Sequence, residues 1–137
     1  MARIITLAQA EAIVEACKAE ADAVGQPMNI AVVDDGGNLV AFSAMDDTKL
    51  IGEDISQRKA LTAVLFQMDT RDLAPLVQPG QPLYGIESTS EGKLVVFGGG
   101  VLLRTSDGQV AGGVGVSAGT VDEDHQVAEA GRKAFTG

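Results

Sequence analysis

The chain contains no tryptophan, one tyrosine, one histidine and one cysteine among its 137 residues. A single cysteine, Cys17, allows no intrachain disulfide and no cysteine zinc cage, and a single histidine, His125, allows no Cys/His cluster. No metal ligand set is legible in this pattern. Aromatic residues make up 4% of the chain, so few platforms exist for stacking exposed bases. Basic residues are also scarce. Ten Lys and Arg stand against nineteen Asp and Glu, a net charge of -9. Such a surface repels phosphate backbones and anionic lipid, which argues against nucleic acid and membrane as partners. No apolar run approaches 18 residues, and MARIITLAQAEAIVEA lacks the sustained apolar core of a secretory signal, so a cytoplasmic location is expected.

What is present is a globular composition, 45% apolar and 21% charged, at a length that suits one domain, residues 1–137. The core must come from Ala, Val, Leu and Ile, and Cys17 falls on the apolar face of the first helix. Thr6 and Gln9 have capping-box spacing, and Leu7, Ala10, Ile13, Val14, Cys17, Ala21 and Val24 follow at helical period until Gly25 and Pro27. Met28–Val33 and Leu39–Ala44 flank the turn Asp34-Asp35-Gly36-Gly37-Asn38 and read as a hairpin. Residues 51–68 read as a second helix, and 69–72 start a short third. Lys93–Phe97, Val101–Arg104 and Gln109–Val116 read as three strands, and Thr120/Glu123 cap a final helix. Without βαβ alternation, the class is α+β, with a mainly antiparallel five-stranded sheet covered by helices.

Eight glycines fall between Gly98 and Gly119. Gly113-Val-Gly115-Val-Ser-Ala118 fits the G-x-G-x-x-A form of a dinucleotide fingerprint. That motif must open a βαβ unit, however, and only nineteen residues follow Ala118. The Walker pattern is absent. The glycines are therefore expected to serve strand ends and close helix packing. Gly98-Gly99-Gly100 could also present backbone amides to an anionic ligand.

Several single residues could carry chemistry. His125 lies in the first turn of the last helix beside Asp122, Glu123 and Asp124, either as a solvated surface group or as an iron ligand or general base. Met45-Asp46 follows the second strand, where Met45 is either a hydrophobic plug or a soft iron ligand. Arg58-Lys59 on the second helix either form a solvated stripe or bind ligand carboxylates. Tyr84 is the lone phenol.

The ordered set NIAVVDDGGNLVAFSAMDD (29–47), SQRKALTAVLF (56–66), VFGGGVLL (96–103) and DGQVAGGVGVSAGTVDEDHQVAEAG (107–131) resembles the GlcG/HbpS family over almost the whole chain. Ala44-Met45-Asp46-Asp47-Thr48 stands where that family usually has Arg-Met-Asp-Gly-Ala. Lys59 and Asp124 match its helix lysine and C-terminal aspartate. The resemblance implies a profilin-like α/β/α domain that assembles into homo-oligomers, from dimers to octamers. Some relatives bind haem, including a domain fused to a cobalamin adenosyltransferase, and others sit in catabolic operons. It therefore implies a small-molecule ligand, with haem or another tetrapyrrole as the expected cofactor. Met45, Tyr84 or His125 would ligate iron, Lys59 and Arg104 would meet propionates, and Gly98, Gly99 and Gly100 would line the pocket. The alternative is a cofactor-independent lyase, isomerase or hydrolase acting on a small organic acid, with Asp46, Lys59, Tyr84 and Asp124 as its polar centre. A third reading is an assembly protein without a pocket.

Overall fold

The structure, a computed structural model, describes residues 2–137. Helix α1 (Leu7–Val24) starts where its cap predicts. The Gln9 amide donates to Thr6 Oγ1 at 3.1 Å, and the Thr6 amide donates to Gln9 Oε1 at 2.8 Å. Gly25 closes it at φ 74°, a left-handed conformation that glycine adopts at no steric cost. Strands β1 (Asn29–Asp34) and β2 (Leu39–Ala44) form the expected hairpin. Its turn is organised by the Asp34 carboxylate, which accepts the Gly36 and Asn38 amides, each at 2.9 Å.

Helix α2 (Ile51–Phe66) leads into a one-turn helix α3 (Thr70–Leu73), which runs on as a 3-10 turn over Ala74–Val77. A second 3-10 turn occupies Ile86–Ser90, before β3 (Gly100–Arg104), β4 (Val110–Ser117) and α4 (Val121–Lys133). Thr120 and Glu123 form the second capping box. Among the described residues no helix is long and apolar enough to cross a membrane.

The strands pair antiparallel in the order β2-β1-β4-β3. The sheet has four strands rather than the expected five, because Lys93–Phe97 does not join it. That segment spends its polar groups elsewhere: the Val95 amide donates to Thr62 Oγ1 of α2 at 3.0 Å. The far edge of β3 is covered by side chains. The Gly100 amide donates to Thr70 Oγ1 at 2.9 Å, and the Leu102 amide donates to Asp69 at 3.0 Å. These bonds satisfy edge groups that would otherwise template further pairing.

Helices α1 and α4 pack side by side on one face of the sheet, and α2 crosses the other. Ile30, Val32, Val114, Val116, Val101 and Leu103 point from the sheet to meet Ile13, Val14, Cys17, Val127 and Ala128. On the α2 face β4 carries glycine instead. A methyl group at Gly113 would lie 2.5 Å from the Ala60 carbonyl oxygen, and one at Gly115 would collide with the Ser56 carbonyl. The glycine-rich strand thus lets α2 lie almost backbone-to-backbone against β4, which answers the nucleotide reading with a packing role.

Candidate functional site

A buried ion pair lies where α2, the 97–100 segment, the end of β4 and α4 converge. Lys59 projects from α2 and is completely buried. Its ammonium donates to Asp124 Oδ2 at 2.8 Å and to the Val116 carbonyl at 2.9 Å, and it lies 5.1 Å from the centroid of the Phe97 ring. Asp124 sits in the first turn of α4, with its other oxygen accepting the Gly119 amide at 2.9 Å. A positive helix end and a backbone donor both favour its charge. Burial pushes the Lys59 ammonium below its ordinary range, opposed by the adjacent carboxylate. Burial likewise raises Asp124, opposed by Lys59.

The triple glycine fits around this pair. A methyl group at Gly99 would come within 2.5 Å of Lys59 Nζ and 3.0 Å of Asp124 Cβ, and one at Gly100 within 2.5 Å of the Lys59 carbonyl. Gly99 also accepts the Val116 amide and sits at φ 124°. The space beside the glycines expected to line a pocket is therefore filled by the Lys59 side chain. Its hydrogen-bonding capacity is largely spent, so Lys59 is not free to meet a ligand carboxylate. Its neighbour Arg58 pairs with Asp54 at 2.8 Å and donates to the Gly92 carbonyl.

Of the other sequence-derived residues, the structure brings only His125 near this centre. His125 is buried, at 7% exposure, rather than solvated, and its Nδ1 has no hydrogen-bond partner. Burial and the nearby Arg71 hold its imidazole below the usual range, against the opposite pull of Asp69 and Glu129. Met45 is half-buried. Its Sδ accepts the Met28 amide at 3.4 Å, and its side chain packs against the core beneath α1 as a plug. Asp46 is exposed next to it and Tyr84 is 66% exposed on the long connection before β3. Arg104 lies at the far end of β3 from Gly100, about 13 Å along the strand, and donates to the Gly108 carbonyl at 2.9 Å. Lys59 and Asp124 thus meet, while Asp46, Tyr84 and Arg104 stand elsewhere.

Three residues that sequence reasoning passed over complete the neighbourhood. Asp69 stands at the N-terminal boundary of α3 with its carboxylate turned to the Leu102 amide, Glu129 follows His125 by one helical turn, and Arg132 bridges both carboxylates, bonding Asp69 at 2.7 Å. The His125/Glu129 spacing of four was a legible signal, since such residues share a helix face. Asp69, sixty residues earlier in the chain, offered none.

Known proteins resemble this chain over most of its length. The family model described as "Haem degrading protein HbpS-like" matches residues 5–133. A Citrobacter freundii sequence described as an uncharacterized 15.0 kDa protein in the dhaT-dhaS intergenic region is 40% identical, over 96% of this chain and 92% of its own. Protein GlcG of Escherichia coli K12 is 39% identical, over 83% of this chain and 81% of its own. Among solved structures, a PduOC:heme complex superposes with a TM-score of 0.90 at 33% identity, over 95% of this chain and 94% of that one.

Proposed function

The chain belongs to the HbpS-like family, and from that membership we propose that it binds haem or a closely related tetrapyrrole. The observation that carries this reading is its likeness, at 33% identity and along nearly its full length, to a domain crystallised with haem. A haem needs an iron ligand, an apolar face and cations for its propionates. The chain carries a candidate for each among its exposed residues, which a second copy would have to bring together. Tyr84 is an exposed phenol with no side-chain hydrogen bond among the described residues, whereas the Met45 sulfur is engaged by a backbone amide and His125 is enclosed. Tyr84 is accordingly the iron ligand in this reading, and phenolate ligation of haem iron is established chemistry. Leu50 and Ile51, 91% and 63% exposed, provide apolar surface that a bound macrocycle or a second copy would cover. Exposed cations such as Arg104 take the propionates in place of the buried Lys59.

The hollows around the candidate residues are open grooves rather than enclosed cavities. The one holding Met45 and Asp46, about 310 Å³, also presents Asp22, an unfavourable neighbour for propionates. A surface site favours an assembly in which a second copy covers the haem, so the functional unit in this proposal is a homo-oligomer. Bound haem supplies the redox-active iron, and the chain supplies the ligand, the charge partners and the apolar cover.

Reconstitution with haemin of the wild type and of Tyr84→Phe, Met45→Ala and His125→Ala tests the assignment. Tyr84→Phe should lose the Soret band of the wild-type complex, with the other two retaining it. Retention of the wild-type spectrum by Tyr84→Phe would overturn the assignment of the ligand.

A further inference from the structure

Away from the Lys59–Asp124 pair, the face between α4 and α3 holds a second polar cluster that packing alone does not explain. His125 and Glu129 lie one turn apart on α4, and Asp69 approaches from the cap of α3. One ligating atom from each of the three lies within 4.8 Å of the others. His125 is more than nine-tenths buried, yet its Nδ1 has no hydrogen-bond partner. An unpartnered buried imidazole nitrogen is costly, and a fold has no packing reason to retain one. The two carboxylates are held by Arg132, which bonds both and also donates to the Leu102 carbonyl at 3.3 Å. A cation already occupies the space between them, on a side chain that remains 31% exposed.

We propose that His125, Asp69 and Glu129 form a site for a divalent transition-metal ion of the zinc type, which takes the place of the Arg132 guanidinium between the carboxylates. One imidazole nitrogen and two carboxylate oxygens form a donor set suited to first-row divalent ions. Bond lengths of about 2.0–2.2 Å place tetrahedral ligands about 3.4 Å apart, so separations of up to 4.8 Å need contract by at most about 1.4 Å. The guanidinium has somewhere to go, because Arg132 and Asp69 line an open groove of about 480 Å³ with Met68, Leu102 and Arg104. Of the three ligands, Asp69 lines this groove and marks the solvent side of the site. Asp69 keeps its hydrogen bond from the Leu102 amide, which orients the carboxylate from outside the ligand set.

His125 is the sole histidine, so a two-bond 1H–15N spectrum of the labelled, haem-free protein shows a single imidazole. Titration with Zn2+ at neutral pH should move one ring nitrogen to its metal-ligated position and saturate at one ion per chain. Glu129→Gln should weaken binding roughly tenfold or more. Arg132→Gln should tighten it several-fold, roughly, by removing the competing cation. A simple structural cluster would show no such gain. Imidazole signals that stay put up to millimolar Zn2+ would overturn the site, as would binding that His125→Ala leaves unchanged. An Arg132→Gln protein that is folded by circular dichroism but gains no affinity would also overturn it. Because haem is left out, these outcomes are independent of the haem-binding reading.

Discussion

At the residue scale, the Lys59–Asp124 pair is the most demanding feature of the fold. Two charges are taken out of water and repaid only by each other, by the Val116 carbonyl and by the Gly119 amide. Removing one partner leaves the other charge stranded. Lys59→Met should therefore destabilise the chain by about 3–5 kcal/mol in denaturant titrations at neutral pH, with the double variant Lys59→Met/Asp124→Leu recovering much of that loss. The pH dependence has a defined sign. Without Lys59, the buried Asp124 carboxyl titrates above its unfolded value, so its folded form favours the proton. The variant should be closest to wild type below about pH 4 and lose stability as pH rises through the raised folded value. A deficit that does not shrink on acidification would contradict the buried pair. Cys17 needs no such balance. Burial pushes its thiol up to about 12, so it should resist alkylation until the chain unfolds.

At the scale of elements, glycine in β4 decides how close α2 can lie. Gly115→Ala would drive a methyl into the Ser56 carbonyl, and a rigid helix backbone cannot move aside as a side chain would. Its cost should be about 3 kcal/mol or more, against about 1 kcal/mol for Thr120→Ala at the α4 cap. Thermal unfolding of the two variants checks that order. The elements with local signals were legible in the sequence. Thr6 with Gln9 and Thr120 with Glu123 announced both capped helices, and Asp34 through Asn38 announced the hairpin. Lys93–Phe97 misled because its composition suits a strand, while the Val95 amide within it is taken by Thr62, thirty-three residues away. The Lys59–Asp124 contact spans sixty-five residues and became an expectation only through the family likeness. His125 was ambiguous in sequence because its acidic neighbours suggest a solvated turn, although the helix turns the ring inward toward Asp69 and Glu129.

At the scale of the whole molecule, the buried Lys59 side chain fills the space beside the glycine triple, and the proposed haem site lies at the surface. Leu50 and Ile51, adjacent at the start of α2, are exposed apolar side chains that a second copy would cover in the proposed assembly. Sedimentation should accordingly show an oligomer, and charged substitutions at Leu50 and Ile51 should dissociate it without unfolding the chain. The central claim is haem binding, and equilibrium titration of the metal-free wild-type chain with haemin, followed at the Soret band, tests it most directly. A saturable curve that ends at a fixed ratio of haem to chain is the predicted result. Absorbance that rises linearly with haemin and never saturates would contradict it.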